Sequence, residues 1–165
     1  MTVRANKPEF NIREKLKSLD YAHVPHEKMP AGSIIQVKQS LNNTLHSINN
    51  SSFAAVSGLT VDISPRFASS KILITLNLLV EARSSSIVAV ELTRGGSSLF
   101  TNEGGYRGSA SNGGYITITY LDSPATTSAV TYGVQTRSSN GAYAINNYIG
   151  SGPANSFITV MEVLG

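Results

Sequence analysis

The chain has 165 residues, of which 41% are hydrophobic and 14% charged, with a net charge of +3 and no cysteine. That length suits one domain with an appendage, and the lack of cysteine excludes disulfides and thiolate metal sites. The basic residues of the body are scattered rather than clustered, so we expect no nucleic-acid partner. The sequence has no apolar run of about 18 residues and no hydrophobic segment in MTVRANKPEF, so we expect neither membrane insertion nor a secretory signal.

The charged residues are concentrated at the start of the chain. Residues 1–28 carry 10 of the 23 charged side chains, and the remaining sequence is apolar and rich in Ser and Thr. This change predicts two parts with different roles. We assign residues 1–29 to an N-terminal arm and residues 30–165 to a β domain.

A short amphipathic helix is predicted in the arm, over about residues 12–20. Asn11 is a favourable N-cap and Glu14 follows three residues later, as in a capping box. Ile12, Leu16 and Leu19 share one face of such a helix. A helix this short is not stable alone in water, so its apolar stripe needs a partner surface.

That surface belongs either to the β domain of the same chain or to another protein. Pro25 and Pro30 stiffen the segment that joins the arm to the β domain. A stiff, extended spacer favours an arm that reaches outward. We therefore expect the arm to anchor the protein to a larger assembly.

From Ser33 onward the hydrophobic period changes to two. In KILITLNLLVEAR, residues 71–83, every second residue is apolar and the alternate positions are mixed, as in a half-buried strand. Turn clusters such as SPRFASS, RGGSS, NEGGYRGSASNGG and DSPATT separate the segments. The predicted strands are SIIQVKQ, LTVDISP, KILITLNLLVEAR, SIVAVELTR, GYITITYLD, SAVTYGVQTR, AYAINNYI and SFITVMEV.

About eight strands without helices predict an all-β, antiparallel β-sandwich, with a jelly roll as the favoured form. The final strand, SFITVMEVLG, is apolar on both faces. A strand of this kind needs cover on both sides. In a two-layer sandwich the second cover is either a neighbouring subunit or the loops of the same chain.

The residues for catalysis or metal binding are sparse, and we predict no enzyme activity, cofactor or metal site. His23 and His26 lie in the Pro-bearing spacer, where HVPH suits a solvated loop better than a ligand pair. No GxSxG elbow is present, and no helix follows the Gly-rich segments to hold a phosphate. Glu81, Glu91 and Asp122 could belong to a glycan-cleaving pair, but a small sandwich offers little cleft for one.

Recognition is expected from two long loops, because loops on rigid β scaffolds often carry binding residues. FTNEGGYRGSASNGGY and SSNGAYAINNYIGSGP combine Tyr and Asn with Ser and Gly, a composition that suits polar ligands including sugars. These segments could equally be polar loops without a ligand. The candidate residues are Tyr106, Arg107, Asn112, Tyr143, Asn146, Asn147 and Tyr148.

The segments PAGSIIQVKQ, SGLTVDISPRFASSKILITLNLLVEA, ELTRGG, YLDSPATTSAVTYGVQTRS and ITVMEV, in this order, resemble a β-sandwich domain of tailed-phage virion proteins. The resemblance covers about residues 30–165. RANKPEFNIREKLKSLD separately resembles the N-terminal tag of phage tail-fibre-like proteins. The tag implies attachment to the particle through Asn6, Lys7, Pro8, Phe10, Ile12, Arg13, Leu16 and Leu19.

Related jelly rolls resemble the tumour-necrosis-factor and complement-globular type, which implies a homotrimer. The apolar residues assigned to its interface are Leu73, Leu79, Ile158, Val160 and Leu164. The resemblance implies a structural protein on the exterior of the virion, made in the host cytoplasm and bound to other virion proteins. Its expected role is a short tail fibre or adhesin that binds a host-surface glycan or protein, and the alternative is a capsid decoration or head-fibre protein. A glycan-cleaving tailspike-like enzyme is a remote third possibility.

Overall fold

The computed structural model describes residues 25–82, 85–108, 112–140, 142–148 and 152–165. Two compact units divide the chain, Met1–Pro30 and Ala31–Gly165. In the first unit the described part holds one turn of 3-10 helix, His26–Lys28. The helix predicted over about residues 12–20 lies outside the described residues.

Twelve strands form the described part of the second unit, and most of them have the alternating pattern of apolar residues expected of a half-buried strand. Eight are long and four have two or three residues. They are β1 (Ile34–Asn42), β2 (His46–Ile48), β3 (Ala54–Ile63), β4 (Lys71–Ala82), β5 (Ser86–Arg94), β6 (Ser97–Gly108), β7 (Asn112–Asp122), β8 (Val130–Ser138), β9 (Tyr143–Ile145), β10 (Asn147–Tyr148), β11 (Gly152–Pro153) and β12 (Ser156–Val163).

The long strands form two antiparallel sheets. The long strands of sheet A have the order β1-β12-β4-β7. The short β9 pairs with β4 beyond the end of β12, and the short β2 pairs with β9. Sheet B has the order β3-β8-β5-β6. β10 and β11 form a separate two-stranded sheet. The prediction of a nearly all-β, antiparallel fold is confirmed for the described residues.

The eight long strands pair in a nested order. The first pairs with the last (β1 with β12), the second with the seventh (β3 with β8), the third with the sixth (β4 with β7) and the fourth with the fifth (β5 with β6). The two middle strands meet in a tight turn at Gly95 and Gly96, both at positive φ. Positive φ at both central residues is the geometry of a type I′ hairpin, which glycine adopts at little cost.

One hydrophobic core contains side chains from both sheets, which is consistent with the predicted β-sandwich. Sheet A contributes every second residue of β4, such as Ile74 and Leu76, and sheet B contributes residues such as Val90 and Val134. Two buried tyrosines, Tyr132 and Tyr143, are the largest fully buried side chains. The period-two reading of 71–83 therefore assigned the inner face of β4 correctly.

Two segments differ from the prediction. NEGGYRGSASNGG was predicted as a turn cluster, but β6 continues to Gly108 and β7 begins at Asn112, so much of it is paired strand. AYAINNYI was predicted as one strand, but Asn146 at φ 58° divides it into β9 and β10. A left-handed residue cannot continue a flat strand, and Asn tolerates this conformation better than most residues.

Candidate functional site

The outer face of sheet A, turned away from the core, is an unusual surface for a protein exposed to water. The registers place side chains from four strands in straight rows across it. Its three central rows contain six apolar residues and no charged one. The rows are Val37–Met161–Leu73–Leu121, Gln39–Thr159–Thr75–Thr119 and Leu41–Phe157–Asn77–Thr117.

Several of these apolar side chains are open to solvent in the single chain. Val37 is 57% exposed, Leu41 55% and Leu121 49%, and Tyr115 farther along β7 is 56% exposed. Single exposed apolar residues are ordinary, whereas contiguous apolar patches on soluble proteins mark interaction surfaces. The outer face of sheet A is therefore the strongest candidate for a contact surface in the described structure.

The outer face of sheet B has a different chemistry. Glu91 accepts a hydrogen bond from the Thr101 hydroxyl at 3.2 Å. Arg137 forms an ion pair with Glu103 and lies over the Phe53 ring, 5.1 Å from its centroid. Charged and hydrogen-bonded side chains are well solvated, so this face needs no protein cover.

The residues predicted to form a trimer interface fall on both sides of sheet A. Leu73 lies half-buried on the outer face, in one row with Met161 and Leu121. Ile158 and Val160 have no exposed area and belong to the core, and Leu79 is 1% and Leu164 9% exposed. These four side chains are covered within one chain, so the predicted interface is corrected. On β12 the outward positions are those of Phe157 and Met161, which the predicted interface did not include.

The predicted recognition residues around the β6–β7 connection lie near the ends of two strands. Arg107 and Asn112 are exposed, while Tyr106 is half-buried and packs against the core. Tyr106 fits against Gly114, where an added Cβ would lie 2.6 Å from its ring. Tyr106 therefore anchors the hairpin, and Arg107 lies on the surface.

The second predicted recognition segment is largely structural. Tyr143 is fully buried, and its hydroxyl donates to Thr136 Oγ1 at 2.7 Å. Burial raises the pKa of Tyr143, an effect that the Thr136 hydrogen bond partly offsets. Asn146 is also fully buried, donates to the Thr44 carbonyl at 2.9 Å and accepts from the Ser156 hydroxyl.

Tyr143 and Asn146 are thus corrected from candidate receptor contacts to core residues, because neither presents any surface to a ligand. Asn147 and Tyr148 form the short strand β10, paired with β11. The predicted anchoring residues, from Asn6 to Leu19, lie outside the described residues.

A buried polar cluster ties the two sheets together. Asp122 of β7 accepts two hydrogen bonds from Arg94 of β5, at 2.9 and 3.0 Å, and one from the Tyr132 hydroxyl of β8 at 2.7 Å. Burial, with Asp122 as acceptor, raises the pKa of Tyr132, so Tyr132 stays a neutral donor. Asp122 therefore links sheet A to sheet B.

A second buried acid, Glu162, was not singled out by the sequence analysis. It is fully buried, and its Oε1 accepts from the backbone N–H of Arg66 at 2.7 Å. Its Oε2 accepts from the Gln36 side chain at 3.1 Å. A single acid inside the apolar segment TVMEVLG was the available signal. Glu162 fixes the loop between β3 and β4, which is a structural role.

Among the described residues, no group of three or more His, Asp and Glu side chains is arranged to hold a metal ion. In the same part of the chain, no helix has the length and apolarity that crossing a bilayer requires. Comparison with models of known protein families finds no match, and neither does a search of curated proteins. The functional argument therefore rests on the surfaces of this chain.

Proposed function

We propose that the protein is a structural component of a tailed-phage particle, a short trimeric tail fibre or adhesin. Its N-terminal arm attaches to the particle, and its β domain is displayed for contact with the host surface. The observation that carries the proposal is the outer face of sheet A, whose central rows are half apolar and free of charge, with Val37, Leu41 and Leu121 exposed in a single chain. Such a face suits a body that assembles with copies of itself.

The nested strand pairing supports the jelly-roll form of the sandwich. In a jelly roll, a long hairpin of four strand pairs is rolled into two sheets. The pairs β1·β12, β3·β8, β4·β7 and β5·β6 follow that plan. Together with the resemblance of residues 30–165 to phage virion domains, this order favours a compact displayed head.

The trimer is proposed to form through the outer face of sheet A. Leu73 lies between Met161 and Leu121 in a row that is apolar in all four strands and begins with Val37. Covering this face in the trimer would remove its exposed apolar area from water, at about 25 cal/mol per Å² buried. The polar outer face of sheet B would remain in solvent.

A capsid decoration or head-fibre protein is the alternative. Both roles use the same trimeric head and the same arm, and they differ in where the arm attaches.

The proposal is tested on virus particles that carry the gene. Antibodies against the β domain, labelled with gold, should mark the tail tip if the protein is a tail fibre and the whole shell if it decorates the capsid. Leu16→Asp should remove the protein from particles while the purified trimer stays folded, because a charge enters the apolar stripe of the arm. Thr2→Asp, outside the stripe, is the matched control. Absence of the protein from wild-type particles would refute the proposal.

A further inference from the structure

An open groove of about 430 Å³ lies at one end of sheet B and has no assigned role. Its lining residues are Ser85, Ser86, Ile87, Arg107, Gly108 and Ser139. Its size falls in the range of small-ligand sites, about 300–1,000 Å³. Among the described residues that line it, Arg107 is a predicted recognition residue. The groove is therefore a specific place where that predicted residue could bind a ligand.

Three neighbouring strands position the groove. Arg107 of β6 pairs directly with Ile87 of β5. Ser139, just after β8, donates its backbone N–H to the Ile87 carbonyl at 3.0 Å, and Ile87 donates its own N–H to Ser139 Oγ at 3.0 Å. Arg107, Ile87 and Ser139 thus lie side by side near one end of sheet B, where backbone pairing fixes their positions.

The lining is positively charged and rich in hydroxyls. Arg107 is exposed and makes no hydrogen bond or ion pair with another described residue. None of the described residues that line the groove is acidic, and the carboxylate of Glu103 on the same strand is engaged by Arg137. An arginine without a partner presents a planar fork of donors that matches a carboxylate in bidentate geometry.

A hydroxyl group lies beside that fork. Ser139 Oγ already accepts the Ile87 N–H, so its hydroxyl proton is available to donate to a ligand. Ser86 also lines the groove, but its hydroxyl oxygen is buried and is not counted as a donor to the ligand.

We infer that this groove binds the carboxylate of an acidic sugar, with Arg107 holding the carboxylate and the Ser139 hydroxyl bonding to a ring hydroxyl. One cation matches one negative charge, and the Ile87 side chain offers an apolar surface for the face of a pyranose ring. The open shape suits a residue within a polysaccharide chain. The inference names the ligand class for host-surface binding, and its biological meaning rests on the proposed function.

The inference is tested by amide NMR on the full-length protein, with glucuronate as the probe and glucose and glucose 6-phosphate as comparisons. Glucuronate should shift the amide signals of residues 85–87, 107–108 and 139, and glucose should not. Arg107→Gln should weaken glucuronate binding at least tenfold, and Arg107→Lys should weaken it less. Arg66→Gln, an exposed arginine in the loop at the other end of β4, is the control of equal charge and should leave binding unchanged.

Glucuronate shifts that are absent, or that persist unchanged in Arg107→Gln, would overturn the inference. A stronger response to glucose 6-phosphate would assign the groove to phosphate and would overturn the carboxylate assignment.

Binding of the purified protein to host envelope fragments separates the two proposals. Envelope binding that Arg107→Gln leaves intact refutes the groove alone. No envelope binding by the wild type, with glucuronate shifts present, refutes the host-surface role alone.

Discussion

The outer faces of sheet A and sheet B are made from strands of similar length and the same alternation, yet they differ in chemistry. The three central rows of sheet A carry apolar and uncharged side chains. Sheet B carries Asp62, Glu91 and the Arg137–Glu103 ion pair on its outer side. The sandwich core needs only the inner faces to be apolar. The apolar outer face of sheet A therefore points to a requirement beyond the fold, which we propose is assembly.

The largest effect is expected from a charge in the wholly apolar row of the sheet A face, Val37–Met161–Leu73–Leu121. Leu73→Asp should convert the trimer to monomer, because each subunit would lose about 1.5 kcal/mol or more of apolar burial and would have to desolvate a carboxylate. Analytical ultracentrifugation at micromolar concentration measures the change.

The matched control is Ala55→Asp, an exposed position on the outer side of sheet B. It should leave the oligomer unchanged. A trimer that survives Leu73→Asp, or a wild-type protein that is monomeric at the same concentration, would show that the difference between the faces has another cause.

A change between the two sheets should affect stability without affecting assembly. Asp122→Ala leaves the buried Tyr132 hydroxyl without an acceptor and Arg94 without its partner. We expect a loss of about 2–3 kcal/mol in the free energy of unfolding, less than for a fully buried ion pair because Arg94 is partly exposed. Urea denaturation measures it. Asp62→Ala, on the outer side of sheet B, should cost at most about 0.5 kcal/mol, and an equal cost for both would contradict the assigned role of Asp122.

β1 of sheet A contacts β3 of sheet B. One methyl group added at this contact should lower the stability of the fold. Gly58 has a φ of 76°, and a Cβ there would lie 2.9 Å from Asn42 Nδ2. Asn42 in turn donates to the Ser57 carbonyl. Gly58→Ala should cost about 1–2 kcal/mol of stability by thermal denaturation. Gly104→Ala, with no atom within 4 Å of its Cβ, should change stability by less than half as much.

The smallest effect concerns alkaline pH. Because the pKa of Tyr132 is raised in the folded state, its contribution to stability is complete below the unfolded pKa of about 10 and is lost as pH rises above it. Each such group adds a decline of at most about 1.4 kcal/mol per pH unit. Tyr132→Phe should make the fall in stability between pH 10 and 11 shallower. An identical slope in both proteins would show that Tyr132 ionises without unfolding.

The period-two pattern was sufficient to locate most of the long strands. The segments KILITLNLLVEAR and SIVAVELTR correspond closely to β4 and β5, and the inner face of β4 was assigned correctly. The Gly-rich end of β6 was missed because glycines such as Gly104 and Gly105 carry no side chain to show alternation. The strand nevertheless continues past a register irregularity at these glycines, and Tyr106, Arg107 and Gly108 pair with β5.

The candidate surfaces were harder to predict. Tyr143 and Asn146 have a composition typical of binding loops, but the fold buries both because β9 pairs with β4 and the Asn146 side chain bonds to Thr44 and Ser156. In β12 the residues on both faces of the strand are apolar. The hydrophobic pattern alone therefore could not show that Ile158 and Val160 face the core and that the alternate residues face outward. The sequence identified Arg107 as a candidate residue. It could not predict the groove, because Ile87 and Ser139, which also line it, come from distant parts of the chain.

Strand positions, turns and the need for a second cover on SFITVMEVLG follow from the sequence, because alternation and turn chemistry are properties of neighbouring residues. The nested pairing of strands, the face of β12 that enters the core and the polar bonds that join the sheets follow from packing. Ile34 meets Val163 and Arg94 meets Asp122 across 129 and 28 positions of the chain. Such contacts depend on which strands are brought side by side, and a local pattern carries no information about that choice.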